Sequence, residues 1–301
     1  MKTFHKSTIA LAVVGLLSTN AFAQNAASPN PTPLPAEPAG AVSGPDTSPI
    51  TANVTVANNY IYRGITQTNF NPAIQGGFDY AHSSGFYIGN WNSSITWISD
   101  AASNGGTGAN SSSLAVGNSK NVSAPIEMDF YAGFKKELIG EGFMSDLGIL
   151  QYYYPTTNYP SSFTNPNTTE IYAAQNYTFG PVSGFVKFNY SVTNIFGFSN
   201  SSGSYYPDLT ANYDTGLWGL VVNAHVGYQY IAGQKTSSTV PTVSYTDWKI
   251  GLSKDLGGGL GISAAYIGTN AAQAGNVYAY QSPTGKNLGG SQGLVTLTKV
   301  F

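Results

Sequence analysis

The chain has 301 residues, of which 9% are charged and 13% are aromatic, with 35 glycines and no cysteine. An average soluble domain carries roughly 25% charged residues and about 7% glycine. So little charge indicates that something other than water covers part of the surface. The absence of cysteine excludes disulfide frameworks and thiolate metal sites. With a formal net charge of −2 and no basic face, nucleic acid is not expected as a partner.

The first 50 residues are predicted to lie outside the fold. Lys2 and Lys6 precede an apolar run, and Ala21-Phe22-Ala23 then gives a small-x-small cleavage pattern. This arrangement predicts a secretory signal peptide over residues 1–23, because the apolar run is too short to cross a bilayer as a helix. Residues 24–50 hold seven of the 16 prolines and are predicted to form a periplasmic Pro/Ala-rich linker without a core.

In residues 51–301, apolar and polar side chains alternate with a period of two residues. Met128, Phe130 and Phe134, for example, alternate with Glu127 and Asp129. One apolar and one polar face is the signature of a β-strand. Each segment is close to the roughly 9–11 residues that a tilted strand needs to cross a bilayer. The predicted strands are 51–62, 73–82, 86–97, 125–137, 143–154, 169–179, 183–193, 206–214, 217–230, 243–255, 260–269 and 292–301.

The connections between these strands alternate between short and long. Residues 180–182 and 215–216 are short connections, whereas 98–124 and 270–291 are long ones. An even number of antiparallel strands with this alternation is typical of bacterial outer-membrane barrels. The sequence therefore predicts an all-β fold, a transmembrane antiparallel β-barrel of about 12 strands with short periplasmic turns and long extracellular loops. The predicted location is the outer membrane of a Gram-negative cell, with outer-membrane lipid around the barrel.

Aromatic residues collect near the ends of the predicted strands, where rings with polar tips favour the lipid–water interface. We expect them to form two girdles: Tyr60, Tyr62, Trp97, Tyr152, Tyr153, Tyr154, Tyr177, Phe179, Tyr205, Tyr206, Trp218, Tyr228 and Tyr230. The last strand ends in Phe301, which resembles the signal that the outer-membrane assembly machinery recognises. Lys299 departs from the apolar residue usual two positions earlier, and we expect its side chain to snorkel.

The opening of the predicted barrel resembles a known family. Residues 59–68 read Asn-Tyr-Ile-Tyr-Arg-Gly-Ile-Thr-Gln-Thr, and residues 71–82 contain Pro-Ala-Ile-Gln-Gly-Gly-Phe-Asp-Tyr. Both segments are similar to the start of the TorF family of outer-membrane porins, and the C-terminal Lys-x-Phe recurs there. The match is dense over residues 51–90, while the loop at 98–124 and the Pro-rich linker are departures. The resemblance implies an outer-membrane barrel with a role in transport.

The alternation places a set of ionisable side chains on the inward face, away from lipid. Apart from one histidine they comprise three cationic and six acidic groups, and carboxylate rings attract cations. One interpretation is a narrow, mildly cation-preferring channel for passive diffusion of small hydrophilic solutes or ions. The other is a structural ladder that plugs the lumen. The predicted pore-lining residues are Arg63, Asp79, Glu127, Asp129, Glu170, Lys187, Asp208, His225, Asp247 and Lys249.

Other functions find less support in the sequence. An outer-membrane lipid hydrolase needs a Ser and a His at the lipid face, but His82 falls in a predicted periplasmic turn and His225 points inward. No Gly-x-Ser-x-Gly nucleophile elbow occurs in a strand–turn–helix context. No catalytic residue, cofactor or metal site is therefore predicted. A surface adhesin or receptor that uses the long loops remains an alternative.

Overall fold

The computed structural model describes residues 49–103, 121–237 and 240–301. The predicted signal peptide and nearly all of the predicted linker lie outside the described residues. Twelve strands pair with their neighbours into one closed barrel, and every pairing is antiparallel. In chain order the elements are β1 (Ile50–Ala57), β2 (Ile61–Tyr62), β3 (Ile65–Thr66), β4 (Ala73–Ala81), β5 (Phe86–Ser94), α1 (Trp97–Ser103), β6 (Ile126–Gly140), β7 (Phe143–Tyr153), β8 (Thr168–Phe179), β9 (Val182–Ser191), β10 (Tyr205–Asp214), β11 (Leu220–Gln229), β12 (Tyr245–Gly257), β13 (Leu260–Thr269), β14 (Gln273–Ala274), β15 (Val277–Tyr278) and β16 (Gln292–Val300).

The predicted barrel of twelve strands is confirmed. Its wall consists of β1, β4 to β13 and β16, and it closes where β1 pairs with β16, with Asn53 opposite Val300. Short turns join the strands at one end, and longer connections such as 58–72 and 270–291 join them at the other. We call these the short-turn end and the long-connection end. Among the described residues, no helix is long and apolar enough to cross a membrane.

Two predicted strands end earlier than the pattern indicated. The first strand was expected to reach residue 62, but β1 ends at Ala57. There the Asn58 side chain takes over the ladder bonds, since its amide donates to the Gly293 carbonyl and its oxygen accepts from the Val295 N–H. The chain then turns away from the wall. Similarly, the strand predicted over 86–97 ends at Ser94, because Trp97 opens the short helix α1.

Side chains alternate between the two faces of the wall, as the period-2 pattern predicted. On β9, Val186 and Phe188 are 56% and 46% exposed on the outer surface, whereas Lys187 and Asn189 are buried inside. Large apolar side chains are exposed on the barrel strands in the same way, including Ile74, Ile149 and Ile250. A soluble protein rarely exposes a continuous apolar surface of this kind.

The prediction of two aromatic girdles is wrong for five of its members. Tyr60, Tyr62, Tyr152, Tyr154 and Tyr206 are buried within the barrel. They occupy inward positions or the segment that leaves the wall after β1, where their hydroxyls find polar partners. The physical reason for the error is that a tyrosine suits both a lipid–water interface and a polar interior. Exposed aromatic rings at the outer surface do include Tyr153, Phe179, Trp218, Tyr228 and Tyr230.

The C-terminal residues lie at the short-turn end of the seam. The Phe301 N–H donates to the Ala52 carbonyl at 2.9 Å, and the Phe301 ring is exposed on the outer surface. Lys299 shares that outer face, and its ammonium reaches back to the Gly258 carbonyl in the turn and lies 5.2 Å from the centre of the Phe301 ring. This is the snorkelling arrangement expected of a lysine at an apolar edge.

Inside the barrel, tyrosine rings lie flat against glycines of the neighbouring strand. Tyr206 covers Gly227, and Tyr87 covers Gly133. The absence of a Cβ lets each ring approach the backbone, and the hydroxyl then reaches a carboxylate further along the wall. Tyr87 donates to Asp146 at 2.6 Å, and Tyr206 donates to Asp247 at 2.9 Å.

We expect Gly227→Ala to lower the free energy of unfolding by about 1–3 kcal/mol. The added methyl would lie 2.8 Å from Cε2 of Tyr206, so the ring has to shift. Gly293→Ala is the matched control, because a methyl on this exposed strand position has nothing within 4 Å. Urea unfolding of the refolded barrel measures both, and equal stability of the two variants would contradict this packing.

Candidate functional site

A β-hairpin folds from the long-connection end into the barrel. It comprises β2, β3 and the two-residue turn Arg63-Gly64, and Tyr62 pairs with Ile65 across it. Arg63 and Gly64 have φ values of 44° and 76°, the conformation of the hairpin turn in which glycine is favoured at the second position. At the tip, a Cβ on Gly64 would lie 2.7 Å from the Cβ of Asp247 on β12. Only glycine therefore lets the tip reach the far wall.

Polar bonds within the segment hold the base of the hairpin. The Thr66 hydroxyl donates to the Asn59 side-chain oxygen at 2.5 Å, and Thr68 donates to the same oxygen at 2.9 Å. The Tyr60 N–H in turn donates to the Thr68 hydroxyl at 3.1 Å. All four residues are buried. Because the buried polar groups satisfy one another, the hairpin is built as a defined element of the interior.

Arg63 ties the tip of the hairpin to two parts of the wall. Its guanidinium donates to both oxygens of Glu170 on β8, at 2.7 and 3.1 Å, and to the Gln229 oxygen on β11, at 2.6 Å. Strands β9 and β10 lie between these two anchors. The guanidinium carbon also lies 4.2 Å from the centre of the Tyr206 ring and 4.8 Å from that of Tyr62. Bidentate pairing and ring contacts of this kind suit arginine alone.

Tyrosines of the hairpin bind the other side of the lumen. The Tyr62 and Tyr152 hydroxyls share a hydrogen bond of 2.6 Å, and the Tyr60 hydroxyl donates to Glu127 at 2.6 Å. The Tyr60 ring also packs on Trp91, with centres 5.5 Å apart. The hairpin thus spans the lumen from β5, β6 and β7 to β8 and β11.

Nine of the ten predicted lining residues lie on inward positions of the wall. The tenth, Arg63, directly follows the predicted strand 51–62 and lies at the tip of the hairpin instead of on the wall. The nine are Asp79 on β4, Glu127 and Asp129 on β6, Glu170 on β8, Lys187 on β9, Asp208 on β10, His225 on β11, and Asp247 and Lys249 on β12. That they line a conducting path remains a prediction.

Beside the hairpin, β6 carries two carboxylates two residues apart. Glu127 accepts hydrogen bonds from Tyr60 and Tyr154. Asp129 is 0% exposed, and within the described ranges neither of its oxygens has a hydrogen-bond partner. The nearby Glu170 is neutralised by Arg63, so no cation is left for this pair in the contacts described here. A carboxylate is costly to bury without a partner, and either a proton or a nearby cation relieves that cost.

The opposite side of the lumen carries a paired cluster. The His225 ring lies between two carboxylates, with Nδ1 2.9 Å from Asp208 and Nε2 2.8 Å from Asp247. The Tyr206 hydroxyl contacts both Nε2 and the Asp247 carboxylate. Lys249 lies directly across from His225 on β12. These charges are compensated locally, so this side is the structural ladder that the sequence left open as an alternative.

The sequence missed two inward charges. Lys135 and Asp146 lie directly opposite each other on β6 and β7 and face the lumen. The alternation does indicate that Lys135 points inward, because it is an even number of residues from Glu127 and Asp129 on the same strand. Asp146 falls in the predicted strand 143–154, where the adjacent apolar residues Ile149 and Leu150 interrupt the alternation. Since the two add one charge of each sign, they leave the excess of carboxylates unchanged.

A cleft opens above the hairpin at the long-connection end. It has a cavity volume of ≈ 60 Å³ and receives residues from all six long connections. Among the described residues that line it, none is charged. The connections contribute in turn Tyr62, Trp97, Tyr154, Phe196, Ile231 and Tyr280.

His82 and His225, the two histidines of the predicted barrel, lie in different surroundings. His82 lies in a turn at the short-turn end, where Nδ1 is 2.8 Å from the Ser84 hydroxyl. Its bonds are confined to that turn, and His225 points inward with both nitrogens committed. No group of three or more His, Asp or Glu side chains in the described part of the chain could hold a metal ion.

A family model described as "Bacterial protein of unknown function (Gcw_chp)" matches residues 39–301. The chain belongs to the Gcw_chp family. The resemblance to the TorF family remains a prediction, since the matching model carries a different name. No curated protein matches the chain.

Among solved structures, this Gcw_chp chain is similar to several porins. A KdgM porin is 8% identical, with 84% of this chain and 98% of that chain covered and a TM-score of 0.46. The NanC porin is 7% identical, with 83% and 98% covered and a TM-score of 0.48. OccAB1 of Acinetobacter baumannii is 13% identical, with 77% and 58% covered and a TM-score of 0.40. The evidence that the barrel is closed is the strand pairing within this chain, in which β1 pairs with β16.

The Arg63–Glu170 pair is expected to show strong coupling in a double-mutant cycle. Arg63→Gln or Glu170→Gln alone leaves one buried charge without a partner, at a cost of about 3–5 kcal/mol in the free energy of unfolding. The double variant is expected to cost clearly less than the sum of the single variants, because no unpaired charge remains. Urea unfolding of the four refolded proteins measures this coupling. Strict additivity would show that the two side chains do not interact.

Proposed function

We propose that this Gcw_chp protein is an outer-membrane channel that is closed, in the conformation described, by its own hairpin. The observation that carries the proposal is the closed barrel with an apolar outer surface and ionisable side chains inside. Such a surface is stable against lipid, where an inward-facing charge avoids a penalty of roughly 2–4 kcal/mol for Lys or Arg at the midplane. The long connections would then face outward from the cell and the short turns the periplasm.

Export and assembly complete this proposal. Residues 1–23 would direct the chain out of the cytoplasm and residues 24–50 would form a spacer in the periplasm. The last strand, with Phe301 exposed at its end, would be the segment that the outer-membrane assembly machinery reads. The partners proposed for the folded protein are outer-membrane lipid and small solutes.

The hairpin would act as the gate of the channel. It is tied to the wall by the Arg63 guanidinium at its tip and by the Tyr62 hydroxyl, whereas the wall itself is held by continuous strand ladders. Opening therefore needs the loss of a few side-chain bonds and leaves the barrel intact. A permanently plugged barrel with an adhesive role is the second candidate, favoured by the tight burial of the hairpin. The two candidates differ in whether weakening the tip produces a conducting pore.

Small solutes passing the hairpin would meet the unpaired carboxylates of β6. Glu127 and Asp129 lie on the inward face beside the hairpin, and the paired cluster on the opposite side contributes little net charge. Carboxylates at a constriction attract cations and exclude anions. We therefore infer a mild preference for cations.

Planar-bilayer recordings test the gate. We expect rare, short openings from the refolded wild-type protein and a marked rise in open time for Arg63→Gln, which removes the bonds to Glu170 and Gln229. Lys235→Gln is the matched control, because it removes a positive charge from an exposed position at the same end. Silence of the wild type and Arg63→Gln alike, from barrels shown to be folded by heat-shifted gel mobility, would contradict a channel and favour the plugged barrel.

A KCl gradient tests the charge preference. The reversal potential of the open channel is expected to have the sign set by K⁺, and Glu127→Gln combined with Asp129→Asn is expected to move it toward zero. Glu141→Gln removes an exposed carboxylate at a short turn and serves as the control. An unchanged reversal potential in the double variant would remove both carboxylates from the conducting path.

A further inference from the structure

Asp129 lies inside the barrel without a bonding partner. It is 0% exposed, and within the described ranges neither of its carboxyl oxygens accepts a hydrogen bond. The neighbouring carboxylates differ, since Glu127 accepts from Tyr60 at 2.6 Å and Glu170 is bound by Arg63. An ionised carboxyl group is costly at such depth without a partner, and binding a proton removes most of that cost.

The charged groups that face Asp129 are acidic, and the cation nearest to them is already paired. The Arg63 guanidinium of the hairpin is committed to Glu170 and to the Gln229 oxygen. Strand β5 contributes Trp91, which does not titrate. The titratable groups around Asp129 are Glu127 and Tyr131 on β6, Tyr152 on β7, Tyr154 just after it, Glu170 on β8, and Tyr60 of the hairpin.

The hairpin contacts both side chains that flank Asp129 in the wall. Across the two ladders, Asp129 is directly opposite Trp91 on β5 and Tyr152 on β7. The Tyr60 ring packs on Trp91 with centres 5.5 Å apart, and the Tyr62 hydroxyl shares a hydrogen bond of 2.6 Å with Tyr152. Movement of the two hairpin tyrosines therefore opens a path for water to the carboxyl group.

We propose that Asp129 is a proton-controlled switch of the hairpin. Its carboxyl group holds a proton while the hairpin is in place and releases that proton to water when the hairpin moves away. The inference rests on the proposed function, because this hairpin is the gate of the channel. Since the closed state binds one proton more than the open state, a rise in pH favours opening. In the open state the hydrated carboxylate joins Glu127 in attracting cations.

Hydrogen exchange of the hairpin amides tests the inference without requiring that the lumen conducts. The refolded full-length protein and Asp129→Asn are compared at the same pH, so that the intrinsic pH dependence of exchange cancels. Asp129→Asn keeps the shape of the protonated carboxyl group but has no proton to lose. Over residues 59–68 we expect equal exchange in acid. As the pH rises, exchange in the wild type is expected to exceed that in the variant by up to about tenfold per pH unit, the limit for one proton.

Two further variants identify the group that titrates. Glu141→Gln removes an exposed carboxylate at a short turn and is expected to exchange like the wild type at each pH. Glu127→Gln leaves Asp129 in place and is expected to keep a rise of exchange with pH. Equal exchange of the wild type and Asp129→Asn over the whole pH range would overturn the inference. Loss of the rise in Glu127→Gln would overturn it as well, because the proton would then belong to Glu127.

Planar-bilayer recordings over the same pH range separate this inference from the channel proposal. The open time of the wild type is expected to rise with pH, and that of Asp129→Asn is expected to stay short. Exchange that rises with pH in a protein that never conducts would support the switch while the channel proposal fails. Conduction by both proteins with equal exchange would support the channel and overturn the switch.

Discussion

The interior of this barrel depends on one buried ion pair. Arg63 is the chain's single arginine, and its two terminal nitrogens hold Glu170 with two hydrogen bonds and Gln229 with one, while the rings of Tyr62 and Tyr206 lie close to the guanidinium. A charge is stable at such depth only when it is paired and hydrogen-bonded. The pair therefore fixes where the hairpin tip lies and, with it, the position of Tyr62 under the cleft.

Much of the fold could be predicted from the sequence because the wall obeys one rule. Side chains on a strand alternate between the two faces of the wall, with apolar residues on the outer face and polar residues on the inner face. The hairpin could not be predicted in this way, since Tyr60, Tyr62 and Ile65 continue an apparent strand pattern beyond Ala57. What ends the strand is the Asn58 side chain, which replaces the backbone ladder with two bonds of its own. Arg63 lies inside the barrel, as the parity predicted, but it does so at the tip of the hairpin and not on a wall strand.

The sequence was enough to predict which side chains belong to the candidate site, but not which of them pair with one another. Parity alone indicated that Glu127, Asp129 and His225 point inward. Which charges neutralise one another depends on the stagger between strands and on the hairpin. His225 meets Asp208 and Asp247, whereas Asp129 meets no hydrogen-bond donor in the part of the chain described. Carboxylates without a cationic partner on β6 and a charge-paired cluster on β10 to β12 therefore occur on opposite sides of one barrel, and both the channel and the plugged lumen stay predictions. The uncharged cleft above them forms from six connections that no local pattern relates.

The central claim is that the hairpin, fixed by Arg63, closes the lumen. Because the chain has no cysteine, a single thiol can report on this directly. Ser253 is a small, buried inward residue of β12 near the short-turn end, so Ser253→Cys places a thiol beyond the hairpin. A membrane-impermeant thiol reagent, added to intact cells from the long-connection side, is predicted to modify this cysteine slowly when Arg63 is present and much faster with Arg63→Gln. Rapid modification at the same rate in both proteins would contradict the account.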